Sequence, residues 1–180
     1  MTTHIALLRG INVGGHNRVA MADLRSFMEE LGFADVRTLL QTGNVVFSGA
    51  AQSASKLERA LEAASAARLD LSVAYVVRTP KELTAAIADN PFKKEAAADP
   101  AHLALTFLKN APMPDAVARL QAAIKGSEIV HAIGKQLYIV YPNGIGESRL
   151  TIKIIEDRLG TQGTARNWNT TLKLAALASA

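Results

Sequence analysis

HIALLRG, residues His4–Gly10, returns as HLALTFLKN, residues His102–Asn110, and this recurrence decides the fold. Each copy is a short apolar run that opens on a histidine and meets a cation at its end, the pattern of a buried strand. Two more pairs follow in the same order. SASKLERAL (Ser53–Leu61) answers to GESRLTIKI (Gly146–Ile154), and RTPKELTAAI (Arg78–Ile87) answers to RNWNTTLKLAAL (Arg166–Leu177). In the last pair an arginine precedes an N-cap residue both times. With a period of roughly ninety-odd residues, the chain reads as a tandem duplication.

Working outward from His4–Gly10, the first half alternates strand and helix signals. Thr3–Leu8 is strand-like, and Met21, Leu24, Phe27, Met28 and Leu31 recur at helical spacing until Gly32 stops them. Val36–Leu40 and Asn44–Phe47 read as strands joined by the Gln41-Thr42-Gly43 turn. Ser55-Lys56-Leu57-Glu58 has the form of a capping box opening a helix through Leu61 and Ala64, and Leu71–Val77 is a further strand. A helix then begins at Thr79-Pro80-Lys81-Glu82 and ends at Asn90-Pro91.

The second half repeats this order. His102–Leu108 is a strand, and Pro114 opens a helix closed by Gly126. Glu128–Ile133 and Gln136–Tyr141 form a hairpin about Gly134-Lys135. Ser148–Leu159 is a helix ended by Gly160, and Thr164-Ala165 is a strand stub. Asn167 caps a last helix with Trp168, Leu172, Ala175 and Ala176 on one face. The expected fold is α+β: two ferredoxin-like βαββαβ sandwiches in tandem, with antiparallel sheets, helices on one face, and an extra helix after each half. The expected domains are 1–92 and 102–180, with the charged, alanine-rich stretch 93–101 as linker.

Composition narrows the function. The chain of 180 residues is 49% hydrophobic and 20% charged, enough apolar content to fold without covalent staples. It has no cysteine, which removes disulfides, thiolate nucleophiles and Cys-based metal sites. MTTHIALLRG lacks the features of a secretory signal, and no apolar run approaches the ~20 residues of a membrane helix. The expectation is a cytoplasmic protein without membrane contact. A net charge of +4 favours anionic partners, but the cations are scattered and aromatics make up only 5%. Nucleic acid therefore ranks below a small anion as a partner.

The loop Arg9–Arg18, RGINVGGHNR, lies between a strand and a helix, where phosphate loops occur. Gly10 and Gly15 have the Walker A separation, but His16 and Asn17 replace the lysine and the hydroxyl residue that chemistry needs. What remains is a glycine pair, Gly14-Gly15, whose amides form an anion nest beside Arg9 or simply turn the chain. The topology brings the Gln41–Asn44 turn to the same end of the first sheet. In the second half, Tyr141–Arg149 (YPNGIGESR) and Arg166-Asn167-Trp168-Asn169 leave their sheet together. Those residues either cap and anchor a helix or offer donors to an oxygen-rich ligand. The four histidines are dispersed, and neither a metal-ligating motif nor a base–nucleophile pair stands out, so no metal is expected.

At these motifs the sequence resembles a family: RGINVGG (Arg9–Gly15), QTGNVVF (Gln41–Phe47), YPNGIGESRL (Tyr141–Leu150) and RNWNT (Arg166–Thr170) are similar to the bacterial domain of unknown function family numbered 1697. The likeness spans nearly the whole chain and implies an α+β fold with two related subdomains. The family brings no assigned activity, so it transfers neither a catalytic residue nor a cofactor. A basic residue commonly follows its glycine pair; here His16 stands there, with Arg18 two places on.

The resulting expectation is binding of a small anionic or nucleotide-like ligand by Arg9, Asn12, Gly14, Gly15, Gln41, Asn44, Arg166, Asn167, Trp168 and Asn169. The alternatives are an enzyme acting on a phosphorylated or amide substrate and a single-stranded RNA-binding protein.

Overall fold

The computed structural model describes all of residues 1–180. The chain divides into two compact units: Met1–Thr84 together with Leu174–Ala180, and Ala85–Lys173.

The first unit is a βαββαβ sandwich. It runs β1 (Thr2–Leu8), α1 (Met21–Glu30), β2 (Ala34–Leu39), β3 (Asn44–Gly49), α2 (Ala54–Leu69) and β4 (Tyr75–Arg78). The sheet order is β2-β3-β1-β4, all pairs antiparallel. One face carries Ala6, Leu8, Val45, Phe47, Tyr75 and Val77, which form a buried cluster with Leu24, Phe27 and Met28 of α1 and Leu57 and Leu61 of α2. The opposite face is buried as well, at Ile5, Leu7, Val46 and Val76. Burial on both faces explains why the strands read as continuous apolar runs without alternation.

Helix ends follow local chemistry, with one correction. Ser53, not Ser55, caps α2, its Oγ accepting from the Lys56 amide at 3.4 Å. Glu58 therefore does not reach back to a cap. It is buried and accepts the Val77 amide at 2.9 Å, while Glu62 accepts the Tyr75 amide at 2.9 Å. β4 is an edge strand, so these two carboxylates close amides that would otherwise invite another strand. The strand expected from Leu71 begins only at Tyr75. After β4, α3 (Pro80–Ala88) opens with a reciprocal box: the Thr79 amide donates to Glu82 at 2.7 Å and the Glu82 amide to Thr79 Oγ1 at 3.2 Å. The stretch 93–101, expected as linker, contains α4 (Lys93–Ala98) and the start of a single 3₁₀ turn, Pro100–His102. Its alanines are good helix formers, which outweighs its charge.

The second unit repeats the plan with β5 (Leu103–Leu108), α5 (Pro114–Ala123), β6 (Ile129–Ile133), β7 (Gln136–Val140), α6 (Ile152–Leu159) and β8 (Gly163–Asn167). Its order is β6-β7-β5-β8, the same as in the first unit. Ala104, Leu108, Leu137 and Ile139 form a cluster with Leu120 of α5 and Ile155 and Leu159 of α6. The edge device recurs: Glu156 of α6 accepts the Gly163 amide of β8 at 3.3 Å. The expected strand stub at Thr164 is a full five-residue strand. The helix expected from Ser148 starts at Ile152, because Thr151 Oγ1 accepts the Ile154 amide and takes the cap. In α7 (Trp168–Ser179) the buried positions are Trp168, Thr171, Leu174 and Ala178, while Leu172 is 43% exposed. The expected face is thus rotated by one residue, with a threonine in place of a leucine.

Candidate functional site

The duplication supplies its own control for locating a site. The connection from first strand to first helix takes twelve residues in the first unit, Arg9–Ala20, and five in the second, Lys109–Met113. The longer loop is not needed to make the fold, since the second unit does without it. It also holds strained backbone at Asn12 and Asn17, whose φ is positive, beside the permissive Gly10, Gly14 and Gly15. Extra length on a rigid scaffold, held in a defined shape, is where function concentrates.

Within that loop Val13 and His16 form an isolated bridge across Gly14-Gly15, whose φ values are 60° and 78°. Two successive positive φ angles match a type I′ hairpin turn, so the glycine pair turns the chain. Asn12 sits beneath it as a clasp. Its Nδ2 donates to Gln41 O at 2.7 Å and to Val19 O at 3.0 Å, and its Oδ1 accepts the Val19 amide at 2.9 Å. Asn17 Nδ2 donates to Gly10 O at 3.2 Å. The side chain of Asn44 is buried and spent on Leu39 O and Thr42 Oγ1. Thus the topology brings Asn12, Gln41 and Asn44 to one end of the sheet, but Asn12 and Asn44 hold the loops in shape. Replacing Asn12 by alanine removes three hydrogen bonds and is expected to cost about 2 kcal/mol in urea denaturation.

These loops wall a cavity of about 560 Å³ lined by Asn12, Gly15, Arg18, Val19, Ala20, Asp23, Gln41 and Leu69. A Cβ at Gly15 would lie in ordinary contact with Arg18, at 3.6 Å, so the turn's positive φ rather than space calls for glycine there. α1 begins at this wall, and no side chain caps its N-terminus at Ala20. Asp23, in the first turn of α1, faces the same space. Of the expected residues, Asn12, Gly15 and Gln41 line the cavity and Gly14 sits at the turn above it; Arg9 and Asn44 do not line it. The sequence reading missed Asp23 and Leu69 and noticed Arg18 only as a family position.

The expected residues of the second unit are used differently. Arg166 is 7% exposed and donates to Thr164 Oγ1 at 2.7 Å and Ala165 O at 2.8 Å. Burial pulls its pKa down to about 10, so its charge stays in place at neutral pH. Arg78, the residue at the matching register on β4, repeats the pattern: it is buried and donates to the preceding carbonyl, of Val77, at 2.9 Å. Asn167 caps α7 by accepting the Thr170 amide at 2.9 Å, and Trp168 is buried. Only Asn169 among these four is exposed.

The fold and this loop cavity define a class: a duplicated α+β protein of two four-stranded antiparallel sheets, with a polar pocket built on an elaborated strand–helix loop of one copy. The chain belongs to the family described as "Protein of unknown function (DUF1697)", which it matches over residues 1–138. Among solved structures it is similar to a conserved bacterial protein from Streptococcus pneumoniae, with 23% identity, a TM-score of 0.76 and 98% of each chain covered. That likeness extends the two-lobed duplicated fold to the full chain. No curated protein matches. No helix is long and apolar enough to cross a membrane.

Proposed function

We propose that the protein binds a small anionic, nucleotide-like ligand in the cavity between the Arg9–Ala20 loop and the Gln41 turn. The observation that carries this reading is the unequal length of the duplicated loop, whose added residues wall a polar cavity around Arg18. Arg18 and the uncapped first turn of α1 receive the phosphate, since free amides at a helix start and a guanidinium both favour an anion. Asp23 and Gln41 supply acceptors for a sugar hydroxyl or the donor edge of a base. The lining contains one carboxylate, and no histidine, serine or threonine accompanies it, so the reading stops at binding rather than a reaction. The burial of Ile5, Leu7, Leu105 and Phe107 leaves no open sheet face for stacked RNA bases, which also favours the small ligand.

The test is a thermal-shift and calorimetric panel of nucleoside mono- and diphosphates, ribose phosphate and inorganic phosphate. At least one nucleotide should raise the melting temperature saturably, and Arg18→Gln should weaken it about tenfold or more. Asp23→Asn should weaken nucleotides and leave inorganic phosphate unchanged. Absence of any saturable shift, or binding indifferent to Arg18→Gln, overturns the proposal.

A further inference from the structure

The second unit carries its own elaborated loop, in a different place. From third strand to second helix the first unit uses Ala50–Ser53, whereas the second uses Tyr141–Thr151, the segment YPNGIGESRLT. The end of this loop is held by Ser148. Its Oγ donates to Glu128 Oε1 at 2.6 Å and accepts the Leu150 amide at 3.0 Å. With Ser148 fixed, its neighbours Arg149 and Leu150 both face a cavity of about 350 Å³ between α5 and α6.

The floor and walls of that cavity are aliphatic: Leu120, Ile124, Leu150 and Ile154. Ile154 is 39% exposed, so part of the apolar wall is open to a ligand entering the cavity. The rim is charged, and its two signs are not equivalent. Glu128 is engaged by Ser148, and Asp157 is paired with Lys153 at 2.8 Å. Lys125, Arg149 and Arg158 line the same rim, and no carboxylate lies within ion-pair distance of any of them. Three cations without ion-pair partners, against one carboxylate, Glu128, held only by a neutral hydroxyl, leave the rim net positive over an apolar recess, which favours a hydrocarbon tail ending in an anion.

We infer that the α5–α6 cavity is a binding site for a small amphiphilic carboxylate, its chain against Leu120, Ile124 and Ile154 and its head on Arg149 and Arg158. The site lies in the second unit, shares no residue with the nucleotide-like site and does not depend on it. It gives the YPNGIGESRL motif a role: the serine sets the loop so that the arginine meets the head group and the leucine closes the wall. The volume fits the lower end of the range for small-molecule pockets, ~300–1,000 Å³, which points to a medium-length chain.

The experiment is a titration of the full-length protein with sodium octanoate, followed by methyl-resolved NMR. Saturable shifts are expected at Leu120, Ile124 and Ile154, with no comparable response to acetate. 1-Octanol, which keeps the chain and lacks the charge, should bind about tenfold more weakly or worse, as should octanoate to the Arg149→Gln/Arg158→Gln double variant. Both arginines are exposed, so the variant keeps its core. Arg18→Gln should leave octanoate binding unchanged, which separates a failure here from a failure of the nucleotide-like site. Octanol binding as tightly as octanoate, or no effect of the double variant, overturns the anionic site. Self-association that protects the same methyls overturns it in favour of an interface between copies.

Discussion

Raising the pH from 10 to 12 is expected to unfold the protein in one cooperative step, with all three tyrosines ionising together. Tyr75, Tyr138 and Tyr141 are the chain's three tyrosines, and each is at most 4% exposed. Burial pushes each of them from the ordinary 10.0 up to about 12, with smaller contributions from nearby Glu62, Asp89 and Glu128 respectively. The Tyr138 hydroxyl also donates to Ala86 O, a bond only the neutral form makes. The sign follows from proton counting. Between pH 10 and 12 the unfolded chain has released these protons and the folded chain retains them, so stability is intact below 10 and falls as pH rises toward 12. A shift of about two units corresponds to roughly 2–3 kcal/mol for each tyrosine. Arg166 acts the other way. Its folded pKa near 10 lies below its ordinary 12.5, so losing its proton relieves a desolvation cost and offsets about one tyrosine's share. Burial lowers the pKa of Arg78 as well, which adds to that offset, and the remaining loss, on the order of a few kcal/mol, is still a large fraction of the stability of many domains. Near-ultraviolet tyrosinate absorbance, read beside circular dichroism, checks it. Independent titration near pH 10 with the fold intact would contradict the closed environment of these rings.

The sheet topology was legible because a duplication tests itself: a strand read weakly in one copy was read again in the other. The misreadings concern side chains whose partners are distant in sequence. Glu58 has the spacing of a capping box, yet its amide partner is Val77, nineteen residues on, and only the packing of α2 beside β4 brings the two together. Ser148 precedes a helical pattern, but Glu128 competes for its hydroxyl and Thr151 takes the cap. The charged, alanine-rich stretch 93–101 reads as a linker, yet its alanines and lysines form α4. At the candidate site the same difficulty appears inverted. Asn12, Asn44 and Asn167 resemble ligand donors in sequence because asparagine serves both ligands and loops, and here their amides go to the protein's own turns and caps. Asp23 gives no local signal and Arg18 only its place after the glycine pair; the end of the loop and the first turn of α1 bring them to one wall.

Gly43→Ala is expected to destabilise the protein by about 3 kcal/mol and to loosen the Asn12–Gln41 wall along with it. Gly43 closes the β2–β3 hairpin with φ +79°, and an L side chain in that left-handed region costs ~1–2 kcal/mol. Space adds a second cost. A Cβ there would lie 2.8 Å from Leu8 Cβ and 2.7 Å from Ile11 Cδ1, and both residues are no more than 1% exposed. Ile11 can rotate its end, but Leu8 Cβ is fixed to β1, whose amide at Leu8 donates to Gly43 O at 2.9 Å. Relief therefore requires the turn to lift from β1, and forced shifts of this kind cost ~1–3 kcal/mol. The second unit provides the comparison. Gly134 closes the β6–β7 hairpin with φ +57°, and the neighbouring Lys135 accepts the Leu108 amide at 2.8 Å in the same way. There a Cβ would meet only the flexible end of Gln136, at 3.5 Å. Gly134→Ala should carry the backbone cost alone, about 1 kcal/mol. In paired urea denaturations the difference between the two variants, about 2 kcal/mol, measures the close packing of the turn on Leu8 and Ile11. Because Gln41 O accepts from Asn12 Nδ2 two residues before Gly43, lifting the turn also pulls on the cavity wall. A nucleotide found in the proposed panel should then bind Gly43→Ala more weakly than Gly134→Ala under conditions where both are folded. Equal losses of stability in the two variants would mean that the close approach of Gly43 to Leu8 and Ile11 is relieved without lifting the turn, and would overturn the packing cost.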